Sequence, residues 1–305
     1  MTVEFLVRYF KIYYCYSVIA YLSSMFIPVD TLRKLFIPLR SSIKNRSVIL
    51  SDNNSIHAKF ARTMSSTEAR PPTMGKNDLS DMRKPYRDQD DGLEESQLPS
   101  RDPIKLFGAW FTMAKESGTV YEPNAFCICT ASKDGQPSAR MVLLKGYDDE
   151  GFRFFTHRTS QKGRNIAENP KVSMLFYWDS FNRQVRVEGL AKMLPDQIAD
   201  EYYSRRPHTS QVGAAISDQT SLIESRDALM KKYNDSMNEF KDAAPPRPKT
   251  WGGYIIVPNR FEFWQGNTNR VHDRIIFRRP VDGKQVDGKL TKLAENGWVM
   301  ERMLP

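Results

Sequence analysis

Phe261-Glu262-Phe263-Trp264-Gln265-Gly266-Asn267-Thr268-Asn269-Arg270-Val271-His272-Asp273-Arg274 is the stretch with the densest chemistry in the chain. Its fourteen residues hold one Trp, one His, two Arg and two acids, and Val271 is the lone aliphatic side chain. A fully buried strand does not carry such a load, because an unpaired charge is costly to bury. A purely solvated face has no use for the Phe-Glu-Phe-Trp lead-in. The mixture suits the wall of a pocket. Aromatic surface can meet a flat ligand, guanidinium groups its anionic parts, and an imidazole can hydrogen-bond or move a proton. Arg270, His272 and Arg274 alternate, so an extended backbone would turn all three to one side.

Working outward, short strand-like runs succeed one another. They fall at 125–131, 138–145, 152–156, 172–178 and 184–193, and again at 251–257, 260–264, 274–278 and 298–303. Turn chemistry such as Lys133-Asp134-Gly135 and Asp149-Glu150-Gly151 separates them. Many short strands in a row predict an antiparallel barrel. Asp102-Pro103 reads as a cap and first helical position, followed by Leu106, Phe107, Trp110, Phe111 and Ala114 at helical spacing. Charge-rich stretches at 196–205 and 226–241 read as an inserted pair of helices. There is no β-α-β alternation and no Gly-x-Gly-x-x-Gly, which excludes a doubly wound dinucleotide fold. The fold class is therefore mainly β with peripheral helices: a small β-barrel of the α+β kind.

The chain has 305 residues and a net charge of +9. Residues 1–66 hold nine basic residues and three acids, so they carry a net +6 of that charge. The rest is close to balanced, with no dense Lys/Arg stripe, which argues against nucleic acid as a partner. Residues 12–29 are uncharged but rich in Tyr and Ser, a poor match to a membrane span, so no stable membrane partner is expected. Residues 1–66 read as a transit peptide or as a dispensable extension, with a membrane anchor the weaker alternative. The compartment expected is the cytoplasm, or the mitochondrion if this segment is a transit peptide. Residues 67–101, with Pro71, Pro72 and Pro85 and an acidic run, read as a flexible arm, and residues 102–305 as the ordered domain. Three cysteines make no disulfide framework and fit a reducing compartment; Cys127 and Cys129 read as core thiols on one strand face.

Several clusters carry anion chemistry. Arg140 and Lys145 flank an apolar strand; five residues apart, they should point to opposite faces. Phe155-Thr156 and Thr159-Ser160-Gln161-Lys162-Gly163 read as an anion-binding turn of hydroxyls, amides and a lysine. Tyr202, Arg206 and Ser210 offer three donor types to one dianion. Arg186 and Glu188 read as a cross-strand charged face, and His157 and His208 as surface histidines. No residue set has metal-ligand spacing, and no Ser-His-Asp arrangement is evident.

These motifs also carry a resemblance. Glu262 to Gln265, a gap of four residues, and Arg270 to Arg274 fill nine positions of a pattern similar to the signature of the pyridoxine/pyridoxamine 5′-phosphate oxidases. The similarity extends from about Met82 to the C-terminus, through Ser138–Lys145, Asn182–Gly189, Tyr202–Ala214 and Gln219-Thr220. It implies an FMN-binding split barrel that forms a homodimer, with FMN near the subunit interface. It implies FMN contacts from Arg140, Met141, Val142, Leu143, Phe155, Thr156, Gln161, Lys162, Gln184, Gln219, Thr220, Trp264 and Arg274. Lys145, Tyr202, Arg206 and Ser210 would hold the substrate phosphate. Arg270 and His272 would border the substrate ring as the catalytic pair, with Arg270 assisting proton removal. The segment Met82-Arg83-Lys84-Pro85-Tyr86 resembles an element that can lie over the substrate in this family. The chain departs from the pattern at Gln161, where the family has Arg, at Thr220, where it has Ser, and at its Arg302-Met303-Leu304-Pro305 end, where it has Arg-Leu-Ala-Pro. Loss of the guanidinium at Gln161 should weaken flavin binding.

The activity implied is oxidation of pyridoxamine or pyridoxine 5′-phosphate to pyridoxal 5′-phosphate by dioxygen, with release of hydrogen peroxide. The alternative is a non-catalytic split-barrel protein that holds FMN or pyridoxal phosphate. Because residues 1–66 lack the pattern of the ordered domain, a chain beginning at Met64 should fold with the thermal midpoint of the full chain; circular dichroism melts and gel filtration of the two check this.

Overall fold

The computed structural model describes Leu79, Met82, Tyr86 and residues 92–268, 270–281 and 286–305. The readings of residues 1–66, and most of those for the arm, lie outside the described residues. Helix α1 (Pro103–Glu116) starts as its sequence dictates. The Asp102 carboxylate accepts from the backbone N–H groups of Ile104 and Lys105 at 2.7 and 3.2 Å, and Pro103 fills a position that needs no N–H. Leu106, Phe107 and Trp110 recur on one face, and all three are buried. The Phe107 ring meets Tyr147, Phe152 and Phe176 at centroid distances of 5.0, 5.0 and 5.1 Å, so α1 plugs into an aromatic core.

Ten strands among the described residues form one antiparallel sheet system. They are β1 (Ala125–Ala131), β2 (Pro137–Leu143), β3 (Gly146–Asp148), β4 (Gly151–His157), β5 (Lys171–Trp178), β6 (Arg183–Met193), β7 (Trp251–Gln265), β8 (Asp273–Arg278), β9 (Thr291–Leu293) and β10 (Val299–Met303). The main path runs β2-β1-β5-β6-β7-β8-β10-β9. Strand β7 is where the sheet forks. Along one edge residues 254–265 pair with β6; on the other, residues 251–256 pair with β4 and residues 260–265 with β8. The sequence reading broke this strand at Pro258-Asn259, and the structure shows why it need not break. Gly189 opposes Pro258 while Glu188 opposes Arg260, leaving Asn259 extra in a bulge. A bulge tolerates a proline, which lacks the ladder N–H, and it bends the strand toward two different neighbours.

Four further helices lie at the periphery: α2 (Gln161–Glu168), α3 (Asp196–Ser204), α4 (His208–Ile216) and α5 (Arg226–Glu239). The expected helices at 196–205 and 226–241 correspond to α3 and α5. Helix α2 stands where the sequence suggested only a turn. Ser160 caps it, accepting from the Gly163 N–H at 3.3 Å, and a Cβ on Gly163 would fall 2.2 Å from the Arg158 carbonyl oxygen. Only glycine lets the first turn of α2 sit this close to the preceding chain. The cysteine reading is corrected: Phe126, Ile128 and Thr130 fill the core side of β1, while Cys127 and Cys129 lie half-buried on the other face. No helix among the described residues is long and apolar enough to cross a membrane.

Phe107→Ala removes a fully buried ring on which five other aromatic side chains converge. It should cost about 3–5 kcal/mol of folding free energy, read as a lowered denaturation midpoint with an unchanged denaturant slope.

Candidate active site

A cavity of about 680 Å³ opens between β2, β4, α3 and α4. Strand β2 contributes Arg140, Met141, Val142 and Leu143, and Lys145 follows just after it. Strand β4 contributes Phe155, Thr156 and His157. Lys162 enters from α2, and Tyr202, Arg205, Arg206, Ser210 and Gln219 come from the α3–α4 segment and the loop after it. Arg140 and Lys145 do not diverge as expected. Strand β2 ends at Leu143, so strand alternation no longer governs Lys145, and both cations line the one cavity.

The cavity is built for an anion. Its lining holds five cations (Arg140, Lys145, Lys162, Arg205 and Arg206) and no carboxylate. The Lys162 ammonium is buried and donates to Gln219 Oε1 at 2.8 Å, Thr156 Oγ1 at 3.1 Å and Ser160 Oγ at 3.2 Å, all neutral acceptors. Burial, reinforced by the Arg140 charge, holds its pKa down at about 8. The Arg140 guanidinium is braced by Thr130 Oγ1 at 2.8 Å and Ser138 Oγ at 2.5 Å, and burial lowers its pKa too. Arg206 lies over the Trp251 ring at 5.0 Å, and its Nη1 is buried without a hydrogen-bond partner. Buried donors are rarely left unpaired, so an oxygen-rich ligand is the natural complement. Phe155 stacks on Tyr202 at 4.2 Å and on Trp251 at 5.4 Å, fixing the wall that carries the Tyr202 hydroxyl.

A second group of expected residues lies outside this lining. Gln184, Trp264 and Arg274 are cross-strand neighbours on β6, β7 and β8, so they form one row of the sheet. Arg274 donates to Glu262 Oε1 at 2.8 Å and to the Leu304 carbonyl at 3.0 Å, and Glu262 also pairs with Arg186. Arg186 and Glu188, 3.5 Å apart, share the charged face that the sequence suggested, and Glu262 joins it from β7, which the sequence did not indicate. Arg270 breaks the expected alternation: it sits in a bend with φ of +67°, and β8 begins only at Asp273. His272 packs against Trp264 at a centroid distance of 4.9 Å, and its Nδ1 accepts from the Asn267 backbone N–H at 3.0 Å. Burial and the Arg270 charge hold the His272 pKa below its usual value. The ring is therefore neutral near pH 7 with its proton on Nε2, a donor and not a base. From the arm, Tyr86 meets Trp264 and His272 edge-on, and its carbonyl accepts from the Thr268 hydroxyl at 2.7 Å; residues 83–85 lie outside the described residues. Gln161 is exposed at the first position of α2, and Thr220, also exposed, has φ of +78°.

Sequence reasoning missed three cavity residues. His157, expected on the surface, is buried opposite Trp251 in the β4–β7 ladder. Arg205, which had no role, reaches the lining while pairing with Glu201 at 3.2 Å. Trp251 carried only a strand signal. The other histidine, His208, contacts the Phe240 carbonyl at 2.9 Å through Nε2.

The forked sheet with its peripheral helices defines the class: a split barrel. PhzG from Burkholderia lata 383, solved in complex with tetrahydrophenazine-1-carboxylic acid, superposes with a TM-score of 0.62 at 28% identity, over 71% of this chain and 98% of that one. The family model "Pyridoxamine 5'-phosphate oxidase" matches residues 114–235, and "Pyridoxine 5'-phosphate oxidase C-terminal dimerisation region" matches residues 251–305. The pyridoxine-5'-phosphate oxidase of Bos taurus is 48% identical over 75% of this chain and 88% of its own length. The pyridoxine/pyridoxamine 5'-phosphate oxidase of Rubrobacter xylanophilus is 44% identical over 70% and 96%. The chain belongs to the pyridoxine/pyridoxamine 5′-phosphate oxidase family. The dimerisation region bears out the homodimer at the level of that family.

A bound dianion favours the charged form of Lys162, and that form is lost as pH rises through about 8. Binding of a phosphate ester should therefore weaken above about pH 8. Titration calorimetry between pH 7 and pH 9 checks this, and Lys162→Met should flatten the dependence.

Proposed function

We propose that this protein oxidises pyridoxamine 5′-phosphate or pyridoxine 5′-phosphate to pyridoxal 5′-phosphate with dioxygen, releasing hydrogen peroxide, with FMN as cofactor. The observation that carries the reading is the carboxylate-free cavity with five cations and an unpartnered Arg206 nitrogen, in a chain of this family. When bound, FMN supplies the two-electron acceptor that dioxygen re-oxidises. The residues present fit such a ligand. Arg140 to Leu143, Phe155, Thr156, Lys162 and Gln219 surround one end of the cavity, where Lys162 holds its positive charge among neutral partners. Gln161 and Thr220 stand beside this end at the start of α2 and next to Gln219.

Lys145, Tyr202, Arg206 and Ser210 anchor the substrate phosphate. A dianion there gives the Arg206 Nη1 the acceptor it lacks within the protein. The row Gln184, Trp264 and Arg274, with the Arg270–His272 loop, supplies the second wall. A homodimer in which this wall closes over the partner's cavity would put the flavin near the subunit interface and exclude water from the reacting end. His272 donates a hydrogen bond to the substrate from Nε2, the tautomer that the Asn267 N–H selects. The Arg270 guanidinium steadies negative charge developing at the reacting end, and so assists proton removal.

The purified protein should be yellow and should release peroxide when given pyridoxamine 5′-phosphate; a yellow protein that releases none would be a non-catalytic flavin carrier. Arg206→Ala removes a contact made in both ground and transition states. It should mainly raise KM, by the equivalent of about 1.5–3 kcal/mol. Arg270→Ala should mainly lower kcat. Steady-state kinetics on the two variants, with flavin content measured from absorbance, distinguishes anchoring from chemistry.

A further inference from the structure

The geometry points to Asp273 as a positioning residue: its carboxylate ties the loop that carries His272 to the chain segment at Leu93, and Arg302 locks that tie from the C-terminal strand. Asp273 Oδ2 accepts from the Asn267 side-chain amide at 3.0 Å and from the Leu93 backbone N–H at 3.0 Å. Arg302 donates from Nη1 to Asp273 Oδ1 at 2.6 Å and from Nη2 to the Leu93 carbonyl at 2.7 Å, and its Nε lies 3.4 Å from Glu95 Oε1. Leu93 thus has both its backbone groups held, one by each member of the Asp273–Arg302 pair. Asn267 has both its nitrogens engaged at this loop: its side chain on Asp273, its backbone N–H on His272 Nδ1. The carboxylate therefore acts on the imidazole through Asn267, by fixing the residue whose N–H selects the tautomer and the ring direction.

The arrangement is specific in charge and shape. The Asp273 and Arg302 side chains are 17% and 35% exposed, so the pair is shielded enough for its geometry to matter. Sequence distance makes the tie informative. Leu93 and Arg302 are 209 positions apart; Leu93 lies outside the sheet, and the Arg302 backbone faces Ile275 of β8 in the ladder while its side chain reaches back to Asp273. Asparagine at 273 keeps the size but replaces one acceptor oxygen with a donor and loses the attraction to Arg302.

This inference rests on the oxidase reading, so wild-type turnover of pyridoxamine 5′-phosphate is the first measurement. A wild type that releases no peroxide sinks that reading, and the proposal with it. Given an active wild type, Asp273→Asn in the full-length holoenzyme should lower kcat roughly tenfold or more, as expected when a reacting group is misplaced, with flavin content and KM little changed. In a His272→Ala background the same substitution should cost no more than about twofold, because its effect passes through the imidazole. An unchanged kcat, or a loss that is fully additive with His272→Ala, overturns the proposal while leaving the oxidase reading intact. If Asp273→Asn does not fold, Arg302→Gln leaves the carboxylate in place and decides by the same two measurements.

Discussion

One strand, β7, has to satisfy three partners at once. It pairs with β6 along one edge from Tyr254 to Gln265 and is divided between β4 and β8 along the other. The division is made by a single extra residue, Asn259, left without a partner between Pro258 and Arg260. Everything functional is distributed by this fork. The first half brings Trp251 against β4 and the cavity, and the second half carries Glu262 to Gln265 and aligns Trp264 with Gln184 and Arg274. The aromatic core beneath it, from Phe107 on α1 to Phe261 and Phe263 on β7, keeps both halves rigid. Sites placed on rigid elements hold their groups to the tolerance that chemistry needs.

The cavity works against stability. Five cations without a carboxylate repel one another, and the Lys162 ammonium is desolvated among neutral oxygens. Its lowered pKa has a definite sign for folding. Between about pH 8 and the ordinary lysine value the unfolded chain binds the proton and the folded chain does not, so folding gains stability as pH rises through that window. A dianionic ligand reverses the preference by favouring the charged lysine. The charge strain of the cavity is thus the same property that suits it to a dianion.

Several readings were legible because local chemistry decides them. The Asp102-Pro103 cap, the β1 limits and the Arg186–Glu188 charged face needed no tertiary information. Others failed for identifiable reasons. Arg140 and Lys145 were assigned opposite faces because strand periodicity was carried past the end of β2. Arg270, His272 and Arg274 were aligned on an extended backbone that in fact bends at Arg270. His157 read as a surface histidine because nothing nearby shows that Trp251 will lie across from it. Helix α2 was hidden by a short Gly-containing segment whose cap, Ser160, looks like turn chemistry in isolation.

The sequence by itself determined the residue types that this protein can bring to an anion, the barrel class, and the family, because those depend on composition and short-range spacing. It also carried the fact that Gln161 and Thr220 depart from the pattern. Which cations share a cavity, which nitrogen of His272 bears the proton, and how a C-terminal arginine meets the segment at Leu93 were decided only by the tertiary structure. The physical reason is range. Helix caps and strand alternation act over a few residues, whereas these arrangements join side chains up to 209 positions apart. Only the closed fold brings such partners within a hydrogen bond's length.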